Sequence, residues 1–124
     1  MSLDYIKLSQ GEKDQLVRLK RHTGIEQWNI LCRWALCVSL YEPTRPPITE
    51  IHSDSNVEMT WRIFAGQFED LYLDLLKVRC VEDGLGTDTD TLYQQFRLHL
   101  KRGLGYLTSN KKTSSIHDLI KQAV

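Results

Sequence analysis

Four histidines and three cysteines are the side chains best able to ligate a metal or carry a nucleophilic step, and their spacing argues against both. His22, His52, His99 and His117 are scattered along the chain. His52 and Asp54 could start a metal site, but no second pair stands at ligand spacing. Cys32 and Cys37 are separated by four residues, which on a helix places their thiols about 140° apart. Buried, inert cysteine is the expectation for both. A Gly-x-Ser-x-Gly elbow, a phosphate-cradling loop and a strand-to-helix glycine fingerprint are all missing from the sequence. A non-catalytic chain without cofactor or metal is therefore expected.

The basic residues offer different chemistry. Lysine and arginine 16 times against 16 acids give a formal net charge of zero, yet the charge is segregated. Residues 1–41 hold six basic and four acidic groups, residues 42–90 four basic and eleven acidic, and residues 91–124 six basic and a single acid, Asp118. Lys13, Lys20 and Arg21 fall within about a 100° arc of one helix, with Arg18 further round. Arg97 and Lys101 are one helical turn apart, Arg102 follows, and Lys111 and Lys112 lie in a polar stretch. Such a set can neutralise phosphates. The plainer reading of any one of them is a solvated surface charge. Asn, Gln and Arg do not gather on one recognition face, so backbone contact is expected rather than base reading.

The elements that must carry these groups read as mainly α. Tyr5–Ser9 alternates as a half-buried strand, with Ile6 and Leu8 on one face and Lys7 on the other. Ser9 and Glu12 form a capping box that opens a helix over 10–22, and Gly24 is its expected left-handed terminator. The next helix, over 25–41, is apolar on nearly all sides; Gly24, Ile25, Trp28, Leu31 and Trp34 are expected at an oligomer interface, because a small domain rarely buries two faces of one helix. Glu42 to about Ser53 reads as an extended connection. Ser55 with Glu58 forms another capping box, expected to open the longest helix, over 57–81, with Val57, Trp61, Phe64, Phe68, Leu71, Tyr72 and Leu75 on one stripe. Gly84 and Gly86 mark a turn, and Thr87 with Asp90 caps a helix over 89–102 that Gly103 and Gly105 should break; Ser115 with Asp118 opens a last one. At 124 residues this is one domain, a strand–helix–helix unit over 1–41 and a helical remainder over 55–124. The start lacks the pattern of a secretory signal, no apolar run could cross a membrane, and three cysteines fit a reducing cytoplasm.

Strand–helix–helix is also the order of a ribbon-helix-helix unit, in which two chains pair their strands and the ribbon, here with Lys7 outward, enters a DNA groove. A transcriptional regulator is accordingly one reading, and a protein–protein scaffold acting through the acidic 42–90 segment is another.

Longer stretches carry a family resemblance. Lys13-Asp14-Gln15-Leu16, Thr23-Gly24-Ile25, Trp28-Asn29 followed by Leu31-Cys32-Arg33-Trp34-Ala35, Glu42-Pro43, and Ser55-Asn56-Val57-Glu58-Met59-Thr60-Trp61 together resemble the DndE family. The resemblance is strongest over about residues 5–75 and weakest in the C-terminal third. It implies a mainly helical protein with a ribbon-helix-helix-like start, assembled as a homo-oligomer, a tetramer above all. It also implies binding to the DNA backbone, with nicked duplex favoured, in a system that replaces a non-bridging phosphate oxygen by sulfur. The implied partners are a cysteine desulfurase, an iron–sulfur protein similar to phosphoadenylyl-sulfate reductases, and an ATPase, which would carry the sulfur chemistry.

Overall fold

The computed structural model describes residues 4–109. In chain order it has β1 (Tyr5–Lys7), α1 (Gln10–Thr23), α2 (Trp28–Tyr41), β2 (Glu58–Thr60), α3 (Trp61–Ala65), α4 (Glu69–Glu82) and α5 (Thr89–Ser109), with a short 3₁₀ turn at Gly66–Phe68. The mainly α class and the strand–helix–helix start stand as expected. Lys111, Lys112 and the helix expected from Ser115 lie outside the described residues.

Helix α1 begins and ends as its sequence dictates. The Ser9 hydroxyl accepts from the Glu12 N–H at 3.1 Å, and the Glu12 carboxylate accepts from the Ser9 N–H at 2.9 Å. At the other end Gly24 takes φ 76° and its N–H returns to the Lys20 carbonyl. Leu16 and Leu19 are buried, with Glu12 between them on the same side.

Strand β1 finds its partner within the chain. It pairs antiparallel with β2 in the register Tyr5–Thr60, Ile6–Met59 and Lys7–Glu58. The ribbon reading needed this strand to pair with its equivalent in a second copy; here β2 fills one of its edges. Residues 57–81 are not one helix, which corrects the expectation. Val57, Met59 and Trp61 are buried while Glu58 and Thr60 are exposed, a period of two that gives a strand. Thr60 then caps α3, its hydroxyl accepting from the Ile63 N–H at 3.1 Å. Gly66 ends that helix at φ 62°, a conformation that favours glycine.

Helix α2 is the centre of the core. It packs mainly on α5, with α1 and α3 also against it. Leu31, Ala35 and Leu36 have no exposed surface. One chain therefore covers several faces of this helix, and Leu31 is interior rather than part of a subunit interface. Gly24 is exposed, while Ile25, Trp28 and Trp34 are half-buried against the core.

Gly103 and Gly105 do not break α5, which runs on to Ser109. A methyl group at Gly103 would lie 1.8 Å from the Ala35 carbonyl oxygen, so this glycine is what lets α5 approach α2. The start of α5 is capped by Asp88, one residue after the expected Thr87. Its carboxylate accepts from the Thr91 N–H at 3.1 Å and from the Thr91 hydroxyl at 2.7 Å. In the core Phe64 and Phe96 meet edge-on at 5.0 Å, with Trp61 5.3 Å from Phe96. Trp61 is thus a core residue and not a platform for a base.

Candidate nucleic-acid interface

The arginines divide into those that hold the fold and those that face outward. Helix α2 has no basic residue in its own last turn, and its terminal carbonyls need donors. Arg79 of α4 donates to the Leu40 carbonyl at 2.9 Å and the Glu42 carbonyl at 2.7 Å. Arg102 of α5 donates to the Ser39 carbonyl at 2.7 Å and the Thr44 carbonyl at 3.0 Å. Two guanidinium groups thus meet the negative end of the α2 dipole. Arg33 does the same for α3, donating to the Phe64 and Ile63 carbonyls.

Arg97 is the clearest correction among the expected phosphate contacts. It is 2% exposed and its Nη2 donates to Glu12 Oε1 at 2.8 Å. The same group donates to the His52 carbonyl at 2.6 Å, and Nη1 to Ser53 and Tyr93 hydroxyls at 3.0 Å each. A buried carboxylate requires a cation, and Arg97 is that cation. The signal was present in the sequence: Glu12 falls on the Leu16–Leu19 side of α1, where its charge could not stay unpaired.

The outer face of α1 keeps its cations together. Arg18 and Arg21 are exposed, and Lys13 and Lys20 stand half-exposed toward the edge of the buried stripe. Lys13 Nζ donates to Asn56 at 2.7 Å, and the Lys20 ammonium lies 4.2 Å from the Trp28 ring centroid. Both bonds are to neutral groups, so the charges are positioned without being cancelled. Asp14 is the acid on this face, bonded to Gln10. Lys7 is separate, across the strand pair from Glu58.

A second cationic place was only partly foreseen. Lys101 and Arg102 line a cleft of about 480 Å³ between α5 and the extended segment around Thr44–Thr49, together with Arg45, which sequence reasoning did not single out. Spacing could not have found Arg45, because it reaches this cleft only through the fold.

The thiols are inert in this setting. Burial pushes Cys32, Cys37 and Cys80 upward from the ordinary thiol range, which disfavours the reactive thiolate. His99 lies 2.8 Å from the Ser39 hydroxyl, and burial, helped by Arg79 and Arg102, lowers it to about 4. Among the described residues no three His, Cys, Asp or Glu side chains converge as a metal site would require, and no helix is long and apolar enough to cross a membrane.

Comparison with known proteins agrees with this fold. The crystal structure of DndE from Escherichia coli B7A, described as involved in DNA phosphorothioation modification, matches with a TM-score of 0.70 at 24% identity, covering 84% of this chain and 95% of that one. A glycine-to-lysine double mutant of DndE matches with a TM-score of 0.67 at 21% identity, covering 86% of this chain and 98% of that one. No functionally curated protein matches. The family model of the DNA sulphur modification protein DndE matches residues 5–115. The chain belongs to the DndE family of DNA sulphur modification proteins.

Proposed function

We propose that this chain is a non-catalytic, DNA-binding subunit of the phosphorothioation machinery, which holds the sugar-phosphate backbone while partner proteins carry out the sulfur chemistry. The observation that carries this reading is the outer face of α1, where Lys13, Arg18, Lys20 and Arg21 share one side of a helix with a single acid among them. Such a face attracts phosphate without reading bases. Lys101 and Arg45 add charge at the α5 cleft. Lys7 is opposed by Glu58 and contributes least.

The proposal includes cytoplasmic assembly as a homo-oligomer, a tetramer, beside a cysteine desulfurase, an iron–sulfur protein and an ATPase. With Leu31 consumed inside the chain, an apolar surface offered to a second copy, beside the half-buried Ile25, Trp28 and Trp34, is the outer side of α4 and of the turn before it. Phe68, Leu71, Leu75 and Val78 there are 46%, 53%, 43% and 55% exposed, at helical spacing.

Retention of plain, nicked and palindromic duplexes at two salt concentrations tests the reading. Binding to all three, with a preference for the nicked duplex and a steep loss in salt, is expected. A nanomolar preference for a palindrome would replace this reading by a sequence-specific regulator. Failure to bind any duplex in dilute buffer would leave a scaffold role.

A further inference from the structure

The cleft beside α5 combines two chemistries that neither a bare anion nor an apolar molecule would satisfy. Its lining includes Leu98, which is buried, and Tyr106, 39% exposed, with the Arg102 guanidinium 5.9 Å from the Tyr106 ring centroid. Arg45 and Lys101, both exposed, and Arg102, half-buried, share this lining, and no carboxylate does. This is notable in a chain whose residues 42–90 carry eleven acids. Arg102 is committed to the Ser39 and Thr44 carbonyls and so adds charge rather than free donors. Lys101 has one neutral partner, the Thr49 hydroxyl at 3.0 Å. Arg45 makes no hydrogen bond or ion pair among the described residues. At about 480 Å³ the cleft is the size of a small-molecule site and far too small for a duplex.

We propose that this cleft takes one unpaired nucleotide of a DNA strand, its base against Tyr106 and Leu98 and its phosphate between Arg45 and Lys101. A flat ring covers the aromatic and apolar wall regardless of base identity, as in single-strand binders. The phosphate answers the uncompensated positive charge. A paired base cannot enter, because its faces are occupied by its neighbours in the stack. The inference rests on the DNA-binding reading above and assigns a second contact to it.

Calorimetric titration of the full chain with thymidine monophosphate, thymidine and inorganic phosphate tests it. The monophosphate should bind at least tenfold more tightly than either of the others. Tyr106→Ala should weaken it roughly five- to hundredfold, the range of base–aromatic stacking, and leave phosphate binding unchanged, while Tyr106→Phe retains it. Arg45→Ala with Lys101→Ala should reduce it to the level of thymidine. Equal affinity for the monophosphate and phosphate, or indifference to all these substitutions, overturns the proposal. Duplex binding measured in parallel separates the two readings: duplex retained without the monophosphate sinks the cleft alone, whereas the monophosphate bound without duplex keeps the cleft and sinks the backbone contact.

Discussion

Gly103 and Gly105 are two residues apart on α5, and alanine should act on them in opposite directions. At Gly103 the added methyl would lie 1.8 Å from the Ala35 carbonyl oxygen, 2.4 Å from its carbon and 2.9 Å from its Cα. All three atoms are main chain in the middle of α2, so no side chain can rotate away and the helices must part. Overpacking in a close-packed interior costs about 1–3 kcal/mol and more where backbone must move, which puts this site near 4 kcal/mol by that scale. Alanine's better helix propensity returns about 1 kcal/mol. A net loss of about 3 kcal/mol follows, or about 12 °C in Tm for a domain of this size. At Gly105 the same methyl meets nothing within 4 Å. There the propensity gain stands alone, and Gly105→Ala should raise stability by up to about 1 kcal/mol. Urea and thermal unfolding followed by circular dichroism measure both. A Gly103→Ala protein within about 0.5 kcal/mol of the parent, the ordinary range for innocuous surface changes, would refute the close approach of α5 to α2.

Two further predictions concern buried charge. Arg97→Met leaves Glu12 buried without its cation and should cost about 3–5 kcal/mol; adding Glu12→Gln, which keeps an acceptor for the Ser9 N–H, should recover a large part, and a double-mutant cycle that shows additive losses would contradict the pairing. His99 is neutral in the fold and held at about 4, below its value of about 6.5 in the unfolded chain. The unfolded state therefore binds the extra proton first. Stability contributed by His99 is intact above about pH 6.5 and falls as pH drops toward 4, by about 2 kcal/mol once solvent screening is allowed for. His99→Gln should flatten that part of the stability–pH curve, and an unchanged curve would show that another group is responsible.

The elements that the sequence displayed best were those fixed by local chemistry. Ser9, Glu12 and Gly24 bound α1 because caps act on the nearest few backbone groups. Apart from the α5 cap, which stands at Asp88 one residue from its expected place, the failures involve partners far along the chain. Val57, Trp61, Phe64 and Phe68 satisfy a helical period, and Val57, Met59 and Trp61 a strand period; β1, some fifty residues earlier, decides between them. A glycine in a helix looks the same whether it breaks the helix or admits a neighbour, and only Ala35 distinguishes Gly103 from Gly105. Arg97 looked like its neighbour Lys101 because charge spacing says nothing about which side of α5 meets Glu12. Arg18 and Arg21 were legible as surface cations because α1 turns its opposite side to the core.

The most direct test of the backbone-contact account is the salt dependence of duplex binding. Each phosphate neutralised adds about 0.9 to the slope of log affinity against log salt concentration. Arg18→Ala with Arg21→Ala should lower that slope by roughly two units and weaken random and palindromic duplexes equally, with the fold unchanged. A slope that stays the same, or a loss confined to one sequence, would contradict the role assigned to α1.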